Sequence, residues 1–155
     1  MNGWTGAVSL AGIVSTAVLW GADIFFLTVG RSALRMATIS ATTEVMGFLH
    51  MFADARMPIW GAAAMVSNLS LVALSRTGQR WFYAVSLLML LLFLIVYNRL
   101  SKPINRLQTE VAKSGRTLDN GREIQAGWNR SLLIRVPLLA ISMLAQCLVL
   151  LVGSA

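Results

Sequence analysis

The sequence predicts an all-α integral membrane protein, a four-helix bundle with short amphipathic helices at the interface. Three observations predict it. Apolar residues make up 57% of the 155 positions and fall into long blocks rather than spreading evenly. Charged residues reach only 12%, about half of what a soluble domain carries. Most Lys and Arg residues stand between the blocks, where they orient a chain in the bilayer and meet anionic headgroups. The net charge of +7 therefore points to membrane lipids as partners and not to nucleic acid. The length and a mean hydropathy of +0.70 predict one transmembrane domain over residues 1–155.

The first span is expected over residues 5–29. At 1.5 Å per residue the block reaches roughly 37 Å, enough to cross hydrocarbon with tilt. Its one charge is Asp23, and Gly6, Ser9, Gly12, Ser15 and Thr16 form a small-residue stripe against which another helix packs closely. The opening Met1-Asn2-Gly3-Trp4 lacks the basic segment of a cleaved signal peptide, so this block is expected to stay as a span. Residues 31–57 mix charges with apolar residues at spacings of three and four. They predict a cytoplasmic loop holding an interfacial amphipathic helix around residues 40–54.

Pro58 is then expected in the first turn of the second span, residues 58–74, where its missing N–H costs nothing. That span is rich in Ala and Ser and carries Asn68. An amide in lipid needs a partner, so this helix is expected to face other helices. The third span, residues 81–98, has Trp81, Phe82, Tyr83 and Tyr97 at its ends and Leu, Phe and Ile in its middle, as a lipid-facing helix does.

Residues 99–130 form a second polar loop. Within it a short helix starts near Pro103 and ends at Gly115, Asp119-Asn120-Gly121 marks a turn, and residues 122–130 lead helically into the fourth span, residues 131–152. Pro137 is expected to kink that span or mark its start. With four spans, one face holds Arg31, Arg35, Arg56, Arg99, Lys102, Arg106, Lys113, Arg116, Arg122 and Arg130, and the other only Arg76 and Arg80. The positive-inside rule then places both termini outside, as expected for a bacterial inner membrane.

Three ionisable residues are candidates for chemistry. Asp23 is a carboxylate within a span, which needs a partner or a cavity; Arg31, Arg35 and Arg135 are its candidate partners. His50 is the only histidine and the one side chain that exchanges protons near neutral pH. Arg135, inside an apolar run, faces the bundle or snorkels and is suited to steady an anion or an enolate. Asn98, Asn105 and Trp128 group with Arg135 at the cytoplasmic ends of the last two spans, with Trp128 as an aromatic wall. Cys147 is the only cysteine and neither it nor any Cys/His cluster suggests a metal site.

At these residues the chain resembles the anthrone-oxygenase-like membrane family, long classed as a domain of unknown function. The resemblance rests on Trp20-Gly21-Ala22-Asp23-Ile24-Phe25-Phe26, on Asn98 through Pro103-Ile104-Asn105-Arg106-Leu107, and on Trp128-Asn129-Arg130 followed by Ile134-Arg135. It is best over residues 95–150. The resemblance implies a four-span protein that inserts oxygen into a hydrophobic aromatic substrate, as some members convert anthrones to anthraquinones, with no metal or flavin cofactor. Such chemistry needs a base, Asp23 or His50, and a cation, Arg135, as catalytic residues, with Trp20, Asn98, Asn105 and Trp128 as substrate-binding ones. Many members have a histidine just after the tryptophan motif. This chain has Ser131 and Leu132 there, which leaves His50 as the candidate substitute.

Two other classes of function are open to such a chain. Its small-residue faces suit an accessory or assembly subunit bound to a membrane-protein partner. A small transporter of 155 residues would act as a homo-oligomer.

Overall fold

Hydrocarbon offers no water to the peptide groups, so an apolar block must pair its own N–H and C=O groups as helix. The computed structural model describes residues 3–152, so Met1 and Asn2 of the opening lie outside it. It contains four long helices: α1 (Gly3–Met36), α2 (Ile39–Leu74), α3 (Thr77–Lys113) and α4 (Gly121–Val152). All are long and apolar enough to cross a membrane. The protein is an all-α four-helix bundle and an integral membrane protein. Short connections reverse the chain each time, at residues 37–38, 75–76 and 114–120. Thr38 caps α2 by accepting from the Ala41 N–H at 3.2 Å. Gly115, at φ +66°, takes the left-handed turn that ends α3.

Burial is inverted relative to a soluble protein. Leu88, Leu91 and Ile95 of α3 and Ile141, Leu144 and Leu148 of α4 are exposed. Ser9, Thr16, Asn68, Ser86, Ser142 and Gln146 are buried. Lipid solvates the outer apolar face as well as a neighbouring helix would, so the inside is selected for close approach and polar pairing. Gln146 donates to Thr16 Oγ1 and to Ser86 Oγ, both at 2.9 Å, and Ser86 and Ser142 share a bond of 2.8 Å. Tyr83 donates to Ser9 Oγ at 3.1 Å. These bonds tie α1, α3 and α4 together where the α1 stripe Ser9, Gly12, Ser15 and Thr16 is buried.

Three local expectations are corrected. Residues 39–57 are not a separate interfacial helix or loop: they are the first half of α2, and Pro58 lies inside the helix. Packing explains this. Gly47 meets α3 so closely that a Cβ there would overlap Ala112 and the Gln108 carbonyl, and Thr109 Oγ1 donates to the Gly47 carbonyl at 3.0 Å. Met46 is fully buried against Trp128 and Leu132. The segment therefore docks on the bundle instead of lying flat. In the same way the short helix at Pro103 exists, over Lys102–Lys113, but is continuous with the third span through a π-helical turn, Tyr97–Ser101. Finally, the second span does not turn mainly inward. Ile59, Val66 and Leu69 are exposed, and Asn68 finds its partner in its own helix, donating to the Ala64 carbonyl at 2.8 Å. The third span is lipid-facing as expected, with only Tyr83, Ser86 and Leu90 buried between Thr77 and Val96. α4 continues through Pro137.

Candidate functional site

Two π-helical turns lie at one level of the bundle, Phe26–Gly30 in α1 and Tyr97–Ser101 in α3. A π turn adds a residue to the helical repeat and re-aims the side chains around it. Here they flank an ion pair between Asp23 of α1 and Arg135 of α4, both buried. Arg135 Nε donates to Asp23 Oδ2 at 2.9 Å and Nη2 to Oδ1, a bidentate pairing that engages both carboxylate oxygens. Arg135 Nη1 donates to Ser101 Oγ at 2.8 Å, which the α3 π turn presents. Three rings surround the guanidinium, with its central carbon 5.6 Å from Phe93, 5.7 Å from Tyr97 and 5.9 Å from Trp128. It is the one salt bridge among the described residues.

One layer closer to the basic end stands His50 of α2. It is 4% exposed, with the Gln108 side chain beside it and no well-formed hydrogen bond to either ring nitrogen among the described residues. Its ring packs 5.2 Å from that of Trp128, which also meets Phe26 edge-on at 5.3 Å. One turn further along α2, Asp54 Oδ1 accepts from Tyr97 Oη at 2.5 Å and from Asn105 Nδ2 at 2.9 Å. Asn105 Oδ1 in turn accepts from Trp128 Nε1 at 3.1 Å. A buried amide pair, Gln108 donating to Gln125 Oε1 at 3.1 Å, closes the layer beyond.

These groups border a cavity of about 490 Å³, within the range of small-molecule sites. Its walls are apolar and aromatic, among them Leu19, Phe26, Met57, Met65, Leu90 and Phe93, with Asp23, His50, Asp54, Tyr97, Asn105 and Arg135 supplying the polar edge. Such a chamber suits a flat, uncharged aromatic molecule: the rings offer stacking faces, His50 an open acceptor, and Arg135 a fixed positive charge.

The structure brings five of the seven sequence-predicted residues to this cavity: Asp23, His50, Asn105, Trp128 and Arg135. Trp20 and Asn98 stand apart from it. Trp20 packs against the core around Leu19, Ala64, Leu90 and Leu139. Asn98 is exposed, donating to the Leu94 carbonyl at 2.8 Å. Three residues escaped the sequence reading. Asp54 looked like one more interfacial charge, although its spacing of four from His50 already put both on one helical face. Tyr97 looked like a belt aromatic, and Ser101 like part of a loop. No group of three or more His, Cys, Asp or Glu side chains placed to hold a metal ion occurs among the described residues. Compared with known proteins, the chain matches no protein-family model, no curated protein and no solved structure.

Proposed function

We propose that the protein is a membrane-embedded oxygenase of a hydrophobic aromatic substrate, working in the manner of the anthrone-oxygenase-like proteins it resembles and needing no cofactor. The observation that carries the reading is His50: a buried imidazole lining an aromatic cavity, with Gln108 beside it and no well-formed hydrogen bond to either nitrogen among the described residues. Leaving buried polar atoms unpaired is costly, and a ligand in the cavity would satisfy those of His50. Asp23 is committed to Arg135 through both oxygens, so the base is His50 and Asp23 is the counter-ion that holds the guanidinium in place. Arg135 makes three hydrogen bonds to Asp23 and Ser101, which leaves two of its five N–H donors for a ligand oxygen.

The chemistry balances with dioxygen as the only co-reactant. His50 removes a proton from an acidic C–H group, and the charge spreads onto a conjugated oxygen within the field of Arg135. The carbanion passes one electron to dioxygen, and the resulting carbon radical and superoxide join in a C–O bond. After protonation the hydroperoxide loses the second C–H proton as its O–O bond breaks. One oxygen atom stays as a carbonyl and the other leaves as water.

The basic end of the bundle, with ten Lys and Arg residues against two, supports a bacterial inner-membrane orientation with both termini outside.

The test uses the purified chain in lipid nanodiscs with anthrone and dioxygen. The expected result is consumption of one dioxygen per quinone formed. His50→Ala is expected to lower the rate by about 100-fold or more while the bundle stays folded. Unchanged turnover in that variant, or no turnover above the protein-free rate, would falsify the proposal.

A further inference from the structure

The walls of the cavity are not equally closed. Of its lining residues only four are exposed, and all four lie on α2 and α3: Leu49, Pro58, Ala62 and Leu94. Every lining residue from α1 and α4 is buried or half-buried. Leu49 and Leu94 are 44% and 40% exposed, so each touches the cavity and the exterior at once.

Both ends are shut. Toward the basic end, Asn105, Gln108, Gln125 and Trp128 are buried in a hydrogen-bonded layer. Toward the opposite end, Leu19, Ala64, Leu90 and Leu139 form a buried core, with the Thr16, Ser86 and Gln146 bonds beyond it.

The helix pair itself explains the gap. α2 and α3 touch at Gly47 with Gln108 and Ala112, at Asp54 with Tyr97 and Asn105, at Ala64 with Leu90, and at Leu71 with Tyr83. Between those contacts α2 presents small side chains, Ala53, Gly61 and Ala62. There too Pro58 cannot donate to the carbonyl one turn before it. The helices therefore part only between the Asp54–Tyr97 bond and the Ala64–Leu90 contact. The parting falls at Pro58 to Ala62 and at Leu90 to Leu94, within apolar sequence that begins after Arg56 on α2 and ends before Arg99 on α3.

We infer that the cavity exchanges its ligand directly with the bilayer through this slot between α2 and α3, which makes the ligand an uncharged molecule dissolved in the membrane. The inference rests on the reading of the cavity as a small-molecule site. A charged molecule would have to shed its hydration in hydrocarbon before reaching the slot, whereas an apolar aromatic is already concentrated there.

The test follows Trp128, whose ring lines the cavity. Trp4→Phe, Trp20→Phe, Trp60→Phe and Trp81→Phe leave it as the sole tryptophan of the full chain in liposomes. Vesicles loaded with 9-bromoanthracene, an uncharged heavy-atom quencher, are mixed in by stopped flow. Quenching is expected, slowed at least tenfold by Ala62→Phe or Leu94→Phe and accelerated by Leu94→Ala, with the same final extent. Anthracene sulfonate supplied in the water phase is expected to leave Trp128 unquenched. Quenching by bromoanthracene at one rate in all three variants, or quenching by the sulfonate, overturns the slot and leaves the site standing. No quenching by bromoanthracene in the parent protein overturns the site and the slot together.

Discussion

Asp23 and Arg135 are each a liability in the bilayer and together a fixed point. The pair sits where α1 and α4 cross, held by a bidentate contact and by Ser101, with three rings excluding solvent. Removing one partner leaves the other as an uncompensated buried charge, which costs about 3–5 kcal/mol. Asp23→Asn and Arg135→Leu are therefore each expected to lower the unfolding midpoint in detergent sharply. The double variant Asp23→Leu with Arg135→Leu is expected to fall by much less than the sum of the two. Additive losses would show that the two side chains are not coupled. His50 behaves differently. Among the described residues its ring nitrogens have no well-formed hydrogen bond, so His50→Ala is expected to spare stability relative to the ion-pair variants while lowering the proposed oxygenation by about 100-fold or more. That Asp23 and Arg135 need partners was legible in the sequence because ionisable residues within apolar runs are rare, whereas His50 stood out only as the single histidine. Their division of labour was not legible, because it depends on which oxygens and nitrogens are already engaged.

At the level of elements, all four helices are longer than the expected spans, α2 and α3 by the most. Residues 39–57 and Lys102–Lys113 carry enough charge to look like separate interfacial helices, yet they pack against each other as extensions of α2 and α3. The contact rests on Gly47, which admits the α3 backbone where any side chain would collide with Gln108 and Ala112. Gly47→Ala is expected to push the two helices apart and destabilise the protein by about 1–3 kcal/mol. Because Met46 and His50 lie on the same extension, the shift is also expected to enlarge the cavity and loosen probe binding at Trp128. A thermal midpoint unchanged within error would count against that contact. The π turns at Phe26–Gly30 and Tyr97–Ser101 had no signal in the sequence. Each depends on which carbonyl a given N–H reaches, and packing around Arg135 decides that.

For the whole molecule the solvent is the organising fact. Exposed leucines and isoleucines surround an interior of serine, threonine, glutamine, asparagine and one ion pair. The chain is expected to remain in the membrane after high-salt and carbonate washing and to need detergent for release, as a pelleting assay would show; recovery as a soluble monomer would contradict the fold's basis. Within the bundle, Gln146→Leu is expected to weaken the packing by about 0.6 kcal/mol per lost bond, seen as a modest fall in the midpoint. The sequence by itself determined the number of spans, the lipid-facing character of the third, the basic end and the charges that needed partners, because hydropathy and charge are local properties summed along the chain. It read the helix extensions as separate short helices in loops, not as continuations of the spans, and set Trp20 and Asn98 beside a site that they do not line. Only the tertiary structure decided that Asp23 meets Arg135, that Asp54 and Tyr97 join Asn105 and Trp128, and that a cavity opens between α2 and α3. Those outcomes depend on helix phase and on how closely backbones approach, quantities fixed by all four helices at once and not by any one of them.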